Sequence, residues 1–381
     1  MHRRVAMLLF AAGWGANHFS TLLVVYRRDL GLSPSALGIL FGAYALGLVP
    51  GLILAGRASD RWGRRALVLP ASAVALLGSA TLAFGTRGFG VLLAGRLVYG
   101  LGMGAVMSPG SVWLQELSPP GSGPRRATLA LSAGFGLGPV VSGAIAELAP
   151  APMVLPYVVC GLVMLMAVAA ARAVPETVRR ARDAAGSAAA IARVRPGDLR
   201  VLLELLPIAP WAFGVVSVTL AILPGLMRPL VSRPVLYSGF VIFVSLAASV
   251  LVQPFVRRLG RYAELWGLGV AALGILLGAH AVAVASPALV FAVAPLVGFG
   301  YGVVMTAGLG EVAARVPRQA RGTAVGIYYV LTYVGFALPF AHAKLAKGWG
   351  DRGTLRATAL LAVACLLARA AVALGARRRR A

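Results

Sequence analysis

Few residues in this 381-residue chain have side chains suited to chemistry, and most of those that do are arginines. Catalysis needs a nucleophile beside a base, or a cluster of metal ligands. Four scattered histidines and two cysteines, Cys160 and Cys365, supply neither. No catalytic residue, metal or cofactor is therefore expected, and the chain is not read as an enzyme. What remains is ion-pair and proton chemistry. The decapeptide Gly56-Arg-Ala-Ser-Asp60-Arg61-Trp-Gly63-Arg64-Arg65 packs four arginines and one aspartate into a chain that is only 12% charged. Its carboxylate and guanidiniums could make and break pairs with acids such as Glu116. Arg96 lies inside an apolar run, where a cation is costly and faces either a polar cavity or the nearer interface. His18, also in an apolar run, has an ordinary pKa near 6.5 and could carry a proton. Glu204 is a further candidate for that role, although it lies near the end of its run.

The elements that position these residues are long and apolar. The chain is 59% hydrophobic, with a mean hydropathy of +0.86. A bilayer core about 30 Å thick needs about 20 apolar residues per helix. About twelve such stretches occur, at roughly 5–26, 35–55, 66–85, 90–112, 127–148, 153–173, 201–223, 235–256, 263–284, 288–309, 322–342 and 355–375. Residues 1–25 open with a basic start like a signal peptide, but Asn17 and His18 interrupt the apolar core, so the stretch reads as a first crossing. Both cysteines fall within predicted helices and are expected to be free.

The net charge of +25 would suit nucleic acid if a soluble fold carried it on one face. Here the charges fall between apolar runs, and no nucleic-acid partner is expected. With the amino terminus inside, the inner loops hold about 24 of the 36 Lys and Arg and the outer loops about nine. That asymmetry places both termini in the cytoplasm of a cell whose plasma membrane the chain crosses. A composition rich in Ala, Gly and Arg, with two lysines, points to a bacterial chain.

The chain repeats itself. Gly100-Leu-Gly-Met-Gly-Ala-Val-Met-Ser108 returns 198 residues later as Gly298-Phe-Gly-Tyr-Gly-Val-Val-Met-Thr306. Each copy is followed by a glutamate, Glu116 or Glu311, and then a basic segment. Arg257-Arg-Leu-Gly-Arg261 echoes Asp60-Arg-Trp-Gly-Arg64, with Arg257 where the aspartate would be. A repeat at half the chain length implies two similar six-helix bundles, 1–173 and 201–381, joined by a linker, 174–200. The Gly-x-Gly-x-Gly runs follow no strand, so they are not a dinucleotide fingerprint. They are read as surfaces for close helix packing.

The pattern Gly-x-x-x-Asp-Arg-x-Gly-Arg-Arg at 56–65 resembles the signature loop of the major facilitator superfamily of transporters. The resemblance implies an all-α membrane protein of twelve transmembrane helices in two pseudo-symmetric bundles. It also implies a cytoplasmic latch of Gly56, Asp60, Arg61, Gly63, Arg64 and Arg65, with Glu116 as partner. Leu92–Gly100 resembles a second family motif that ties Arg96 to proton transfer, with Tyr99 where the family has Gln. Gly134-Phe-Gly-Leu-Gly138-Pro139-Val-Val-Ser-Gly143 resembles the family's antiporter motif, although a generic kinked packing helix would look the same. That last likeness favours export.

Transport sites in such folds lie near the midplane. Trp14, Asn17, His18 and Thr21 share one face of the first helix by its 3.6-residue period. Tyr328, Tyr329 and Tyr333 cluster in the eleventh, Trp211 and Ser217 lie in the seventh, and Tyr301 lies in the tenth. With Tyr99, these are the candidate cavity residues. Each aromatic also has packing as its plain explanation. The expected function is proton-coupled export of a small organic compound by a monomer in the lipid bilayer. The alternatives are an importer or facilitator of a small metabolite, including an anionic one, and a membrane sensor.

Overall fold

The structure is a computed structural model that describes residues 1–120, 122–177 and 196–378, and the described residues form no strand. Helices follow from the apolar runs, because a backbone in lipid must bond within its own segment. The crossings are α1 (His2–Asp29), α2 (Pro34–Trp62), α3 (Arg64–Ala83), α4 (Phe89–Glu116), α5 (Gly123–Leu148) and α6 (Leu155–Arg172). A short helix, Pro196–Leu205, precedes α7 (Trp211–Leu230). Then come α8 (Pro234–Val252), α9 (Ala263–Ala283), α10 (Pro287–Arg315), α11 (Arg318–Tyr333) and α12 (Leu338–Arg378). The last apolar stretch, Ile327–Ala371, is 45 residues long and breaks at Gly350, where φ is 67°. One crossing needs about 20 residues, so this stretch holds the eleventh and twelfth. Both cysteines are free.

Local signals set the helix starts. Ser33 accepts from the Ala36 amide at 3.2 Å, and Ser286 accepts from Leu289 at 3.2 Å. Each is an N-cap followed by proline at the first helical position. The 56–65 segment is not an open loop. The helix α2 runs on to Trp62, and Gly63 alone separates it from α3. Gly63 has φ of 105°, a backbone conformation that residues with side chains rarely adopt. Asp60 thus lies in the last turn of α2, and its side chain is outside the described residues.

The chain divides into two compact units, Met1–Gly186 with Ser232–Phe243, and Ser187–Val231 with Val244–Ala381. The glycine repeat does equivalent work in each. In the first, β-carbons on Gly100 and Gly104 would sit 2.3 and 2.2 Å from carbonyl oxygens of α2, and one on Gly102 would sit 2.4 Å from the Ala75 amide of α3. In the second, Gly298 and Gly302 face Ser245 and Ser249 of α8 at 1.8 and 2.3 Å, and Gly300 faces Ala271 of α9 at 2.5 Å. Bare glycines let α4 touch α2 and α3, and let α10 touch α8 and α9, backbone against backbone.

The helix α5 meets α1 in the same way. A β-carbon on Gly134 would lie 2.1 Å from the Phe10 oxygen, and one on Gly138 would lie 2.6 Å from the Trp14 oxygen. Gly143 faces Val235 of α8, whose oxygen would be 3.0 Å away. Close packing accounts for these glycines without any assignment of transport direction. Gly134→Leu should therefore lower stability by about 3 kcal/mol through overpacking. Gly310→Ala, which has nothing within 4 Å of the new carbon, should leave it unchanged or slightly raised. Thermal unfolding of the purified protein in detergent reads both, and equal effects would reject the packing account.

Candidate functional site

At one end of the first unit, Arg64 gathers Ser59, Glu116 and Glu176. Its Nη1 donates to Ser59 Oγ at 2.6 Å, and its Nε and Nη2 donate to Glu116 Oε1 at 3.4 and 3.3 Å. Its backbone amide donates to Glu176 Oε1 at 2.8 Å. The Glu176 carboxylate also accepts from the amides of Arg65 (3.0 Å), Ala66 (3.3 Å) and Thr177 (3.0 Å). It therefore sits on the N-terminus of α3, where free N–H groups and the helix dipole favour a negative charge. Thr177 Oγ1 donates to Glu116, and Trp113 Nε1 donates to the Pro175 oxygen at 3.1 Å. The chain after α6 is thereby folded over the α2–α3 turn. Gly63 is needed twice here, since a β-carbon would also lie 2.4 Å from Glu176 Oε2. Arg61 is exposed and Arg65 half-buried. Gly56 faces Ser108, 2.9 Å from where a β-carbon would be.

Sequence reasoning brought Arg64 and Glu116 together but left Glu176 and Thr177 in the linker. A signal was available. The ends of α2, α4 and α6 must share one side by parity of crossings, and Glu176 is the first acid after α6.

The core of the first unit holds His18 and Arg96. Arg96 does not snorkel to an interface but is 2% exposed. Its guanidinium lies over the rings of Phe19 and Tyr44, 4.0 and 4.6 Å from their centroids. It donates to the oxygens of Leu40 (3.0 Å) and Phe41 (3.4 Å), while Nη1 has no partner among the described residues. His18 is fully buried, with Nδ1 3.4 Å from Ser142 Oγ and its ring edge-on to Tyr157 at 5.0 Å. Tyr157 and Tyr26 share a hydroxyl hydrogen bond, and the Tyr99 hydroxyl lies 3.9 Å from Cys160 Sγ. Thr21 donates to the Pro139 oxygen at 3.2 Å, which pins α1 to α5. Trp14 is buried against Phe10, and Asn17 is half-buried.

The second unit presents an aromatic stack. Phe213 of α7 lies 4.7 Å from Tyr333 and 4.7 Å from Phe336, both near parallel, and 5.8 Å from Tyr301. Tyr329 extends it toward Tyr333 at 6.4 Å. Beside it α7 widens into a π-helical turn, Val218–Ile222, and a 3₁₀ turn, Val334–Ala337, follows α11. Such interruptions recur at functional sites. Trp211 is buried, Ser217 bonds its own helix at Gly214, and Tyr328 donates to the Val304 oxygen at 3.4 Å. Tyr301, Tyr329 and Tyr333 are among the candidates expected from the sequence, whereas the phenyl rings of Phe213 and Phe336 carry no polar atom to flag them.

Charges also cluster in the second unit. Arg315 reaches Glu204 at 2.6 Å and Glu311 at 3.1 Å. Burial pulls its pKa down, but the two carboxylates outweigh that and hold it above the ordinary arginine value. Arg369 of α12 reaches Glu264 of α9 at 2.6 Å and Glu311 at 3.7 Å. The described residues contain no cluster of metal ligands.

The cap on α3 yields a prediction. Glu176→Gln keeps the shape but removes the charge from the helix N-terminus, and should cost about 1 kcal/mol. A lowered unfolding temperature in detergent checks it, and an unchanged one would mean the contact contributes nothing.

The family model described as Major Facilitator Superfamily matches residues 5–340. The chain is 32% identical over 107 residues to a probable metabolite transport protein, CsbC, of Bacillus subtilis, a match covering 28% of this chain and 23% of that protein. It is 32% identical over 107 residues to the glucose transporter GlcP of Staphylococcus epidermidis, covering 28% and 24%. It is 32% identical over 142 residues to the human proton myo-inositol cotransporter, covering 36% and 22%. The chain thus matches about a quarter of the length of these relatives. Among solved structures, the nucleoside transporter NupG superposes with a TM-score of 0.80 at 13% identity, over 97% of this chain and 99% of that one. A POT family transporter in complex with a thioalcohol-conjugated peptide does so with a TM-score of 0.78 at 10% identity, over 99% and 96%. At those identities the likeness speaks for the fold alone. Twelve crossings in a glycine-packed repeat and a family match over nearly the whole length make one conclusion: this chain is a multi-pass membrane protein belonging to the major facilitator superfamily.

Proposed function

We propose that this transporter imports a small polyhydroxylated metabolite of the sugar or polyol class, driven by protons. The observation that carries the reading is the likeness to relatives named for glucose, myo-inositol and metabolite transport. Export, expected from the α5 motif, has no such support, and packing accounts for that motif's glycines. The aromatic stack of the second unit is chemically apt, because the C–H faces of a sugar ring lie well on aromatic faces while tyrosine hydroxyls bond its oxygens. Tyr301, Tyr329 and Tyr333 are the substrate-contacting residues in this reading, with Phe213 and Phe336 behind them. Positive-inside charge puts both termini in the cytoplasm of a bacterial cell. The α2–α3 turn then lies inside, where Asp60, Arg61 and Arg65 serve as the gating latch and Arg64 with Glu116 braces it.

Uptake of labelled glucose and myo-inositol into proteoliposomes tests the function. With acid outside, at least one should accumulate above its external concentration. Tyr333→Ala should lower that uptake about tenfold, equivalent to one lost stacking contact of about 1.4 kcal/mol. No flux of either solute, or flux only outward, would overturn the proposal.

The brace has its own test. Arg64→Gln and Glu116→Gln should each slow transport, and the double variant should be no slower than the worse single one. Multiplying losses would show that the two residues act independently.

A further inference from the structure

The proton-driven reading needs a group that gains and loses a proton, and the first unit offers a poor one. Its core holds the Arg96 guanidinium, and no acid is buried there among the described residues. A protonated His18 would set a second positive charge in that core.

The second unit differs. Among the described residues, three carboxylates share two guanidiniums in one chain of contacts: Glu204, Arg315, Glu311, Arg369 and Glu264. With every member ionised the cluster carries one excess negative charge. Glu204 and Glu311 are both served by Arg315, which lies at the water-facing end of α10. Among the described residues Glu264 pairs with Arg369 alone, and the two side chains are 4% and 5% exposed. Among the described residues the Arg369 Nε is buried without a partner, so even this pair is incompletely satisfied. A buried pair of this kind is weak as a source of stability, because desolvation offsets most of the attraction. Ionisable residues kept inside membrane segments despite that cost are functional candidates. The groups that face Glu264 are Arg369 on α12, Glu311 and Arg315 on α10, and Tyr328 on α11.

We propose that Glu264, held by Arg369, is the proton-exchanging residue of this transporter. A proton from the water at that end adds to a carboxylate oxygen of Glu264, giving the neutral acid and a cluster without net charge among these five residues. Arg369 then loses the charge-assisted part of its contact with α9 and keeps its weaker one with Glu311 on α10. Loss of the proton to water restores the pair. The tie between α9 and α12 is thus made and broken by one proton. This rests on the proton-driven reading of the function, but the site can be tested without any substrate.

Infrared difference spectra of the purified protein between acid and neutral pH should show a protonated-carboxyl band. Glu264→Gln should abolish that band, and Glu204→Gln should leave it. A band that survives in E264Q, or no band in the unaltered protein, overturns the proposal. Should E264Q fail to fold, Glu264→Asp decides. A shifted band or titration midpoint supports the site, and an unshifted one overturns it. With labelled myo-inositol in proteoliposomes, E264Q should keep exchange down the solute's own gradient and lose accumulation driven by a pH gradient. A purely structural pair would lose both together, which would also overturn the proposal. If the unaltered protein moves no inositol or glucose, the transport reading falls while the infrared result still decides the proton site.

Discussion

A charge within the width of a membrane must be paired, covered or carried to an end, and that constraint organises most of the polar structure here. Arg96 is covered: two aromatic faces and two backbone oxygens replace its water. Glu264 and Arg369 are paired. Most of the remaining arginines sit at or beyond the ends of the apolar runs. Each solution demands different neighbours. Covering a guanidinium needs rings from separate helices at the right height, whereas pairing needs an opposite charge on another helix. Both demand helices that approach closely and in register.

Close approach is supplied by the repeated glycines. In each unit one central helix lies against two others at backbone contact, α4 between α2 and α3, and α10 between α8 and α9. Side chains at those positions would hold the helices apart and move Tyr44 away from Arg96. The two units share this scaffold but not their charges. The first caps α3 with Glu176 and braces Arg64 against Glu116. In the second, Arg257 stands where Asp60 does in the first. Its ion pairs run instead from the Pro196–Leu205 helix through α10 to α9 and α12. A duplicated fold has thus been given two unlike sets of ionic contacts, as expected if the halves do different work.

The same division appears in the polar cores. In the first unit the core bonds are polar and local: His18 meets Ser142, Tyr26 meets Tyr157, and Thr21 donates to the backbone of α5. The second carries stacked rings beside two irregular turns, one in α7 and one after α11. Irregular backbone within a membrane persists where it lines a cavity or is held by neighbouring protein. In the proposed import of a hydroxylated solute, the aromatic stack is the binding surface.

Much of this was legible in the order of residues. Apolar run length dictated the crossings, because a bilayer of given thickness demands a given number of residues per helix. The 198-residue offset of the glycine motif revealed the duplication, and helical period placed Trp14, His18 and Thr21 on one face. The extent of α2 was not legible, since nothing local stops it before Gly63, the one residue free to take the turn. Glu176, the Glu264–Arg369 pair and the stacking of Phe213 on Tyr333 and Phe336 were also hidden. Each partnership joins residues about a hundred positions apart on different segments. Period and composition say which face a residue occupies but not which face of another helix meets it. The sequence by itself therefore determined how many helices cross the membrane and which of their faces are polar. Only the tertiary structure decided which polar groups meet, because that depends on the height and rotation at which packed helices come to rest.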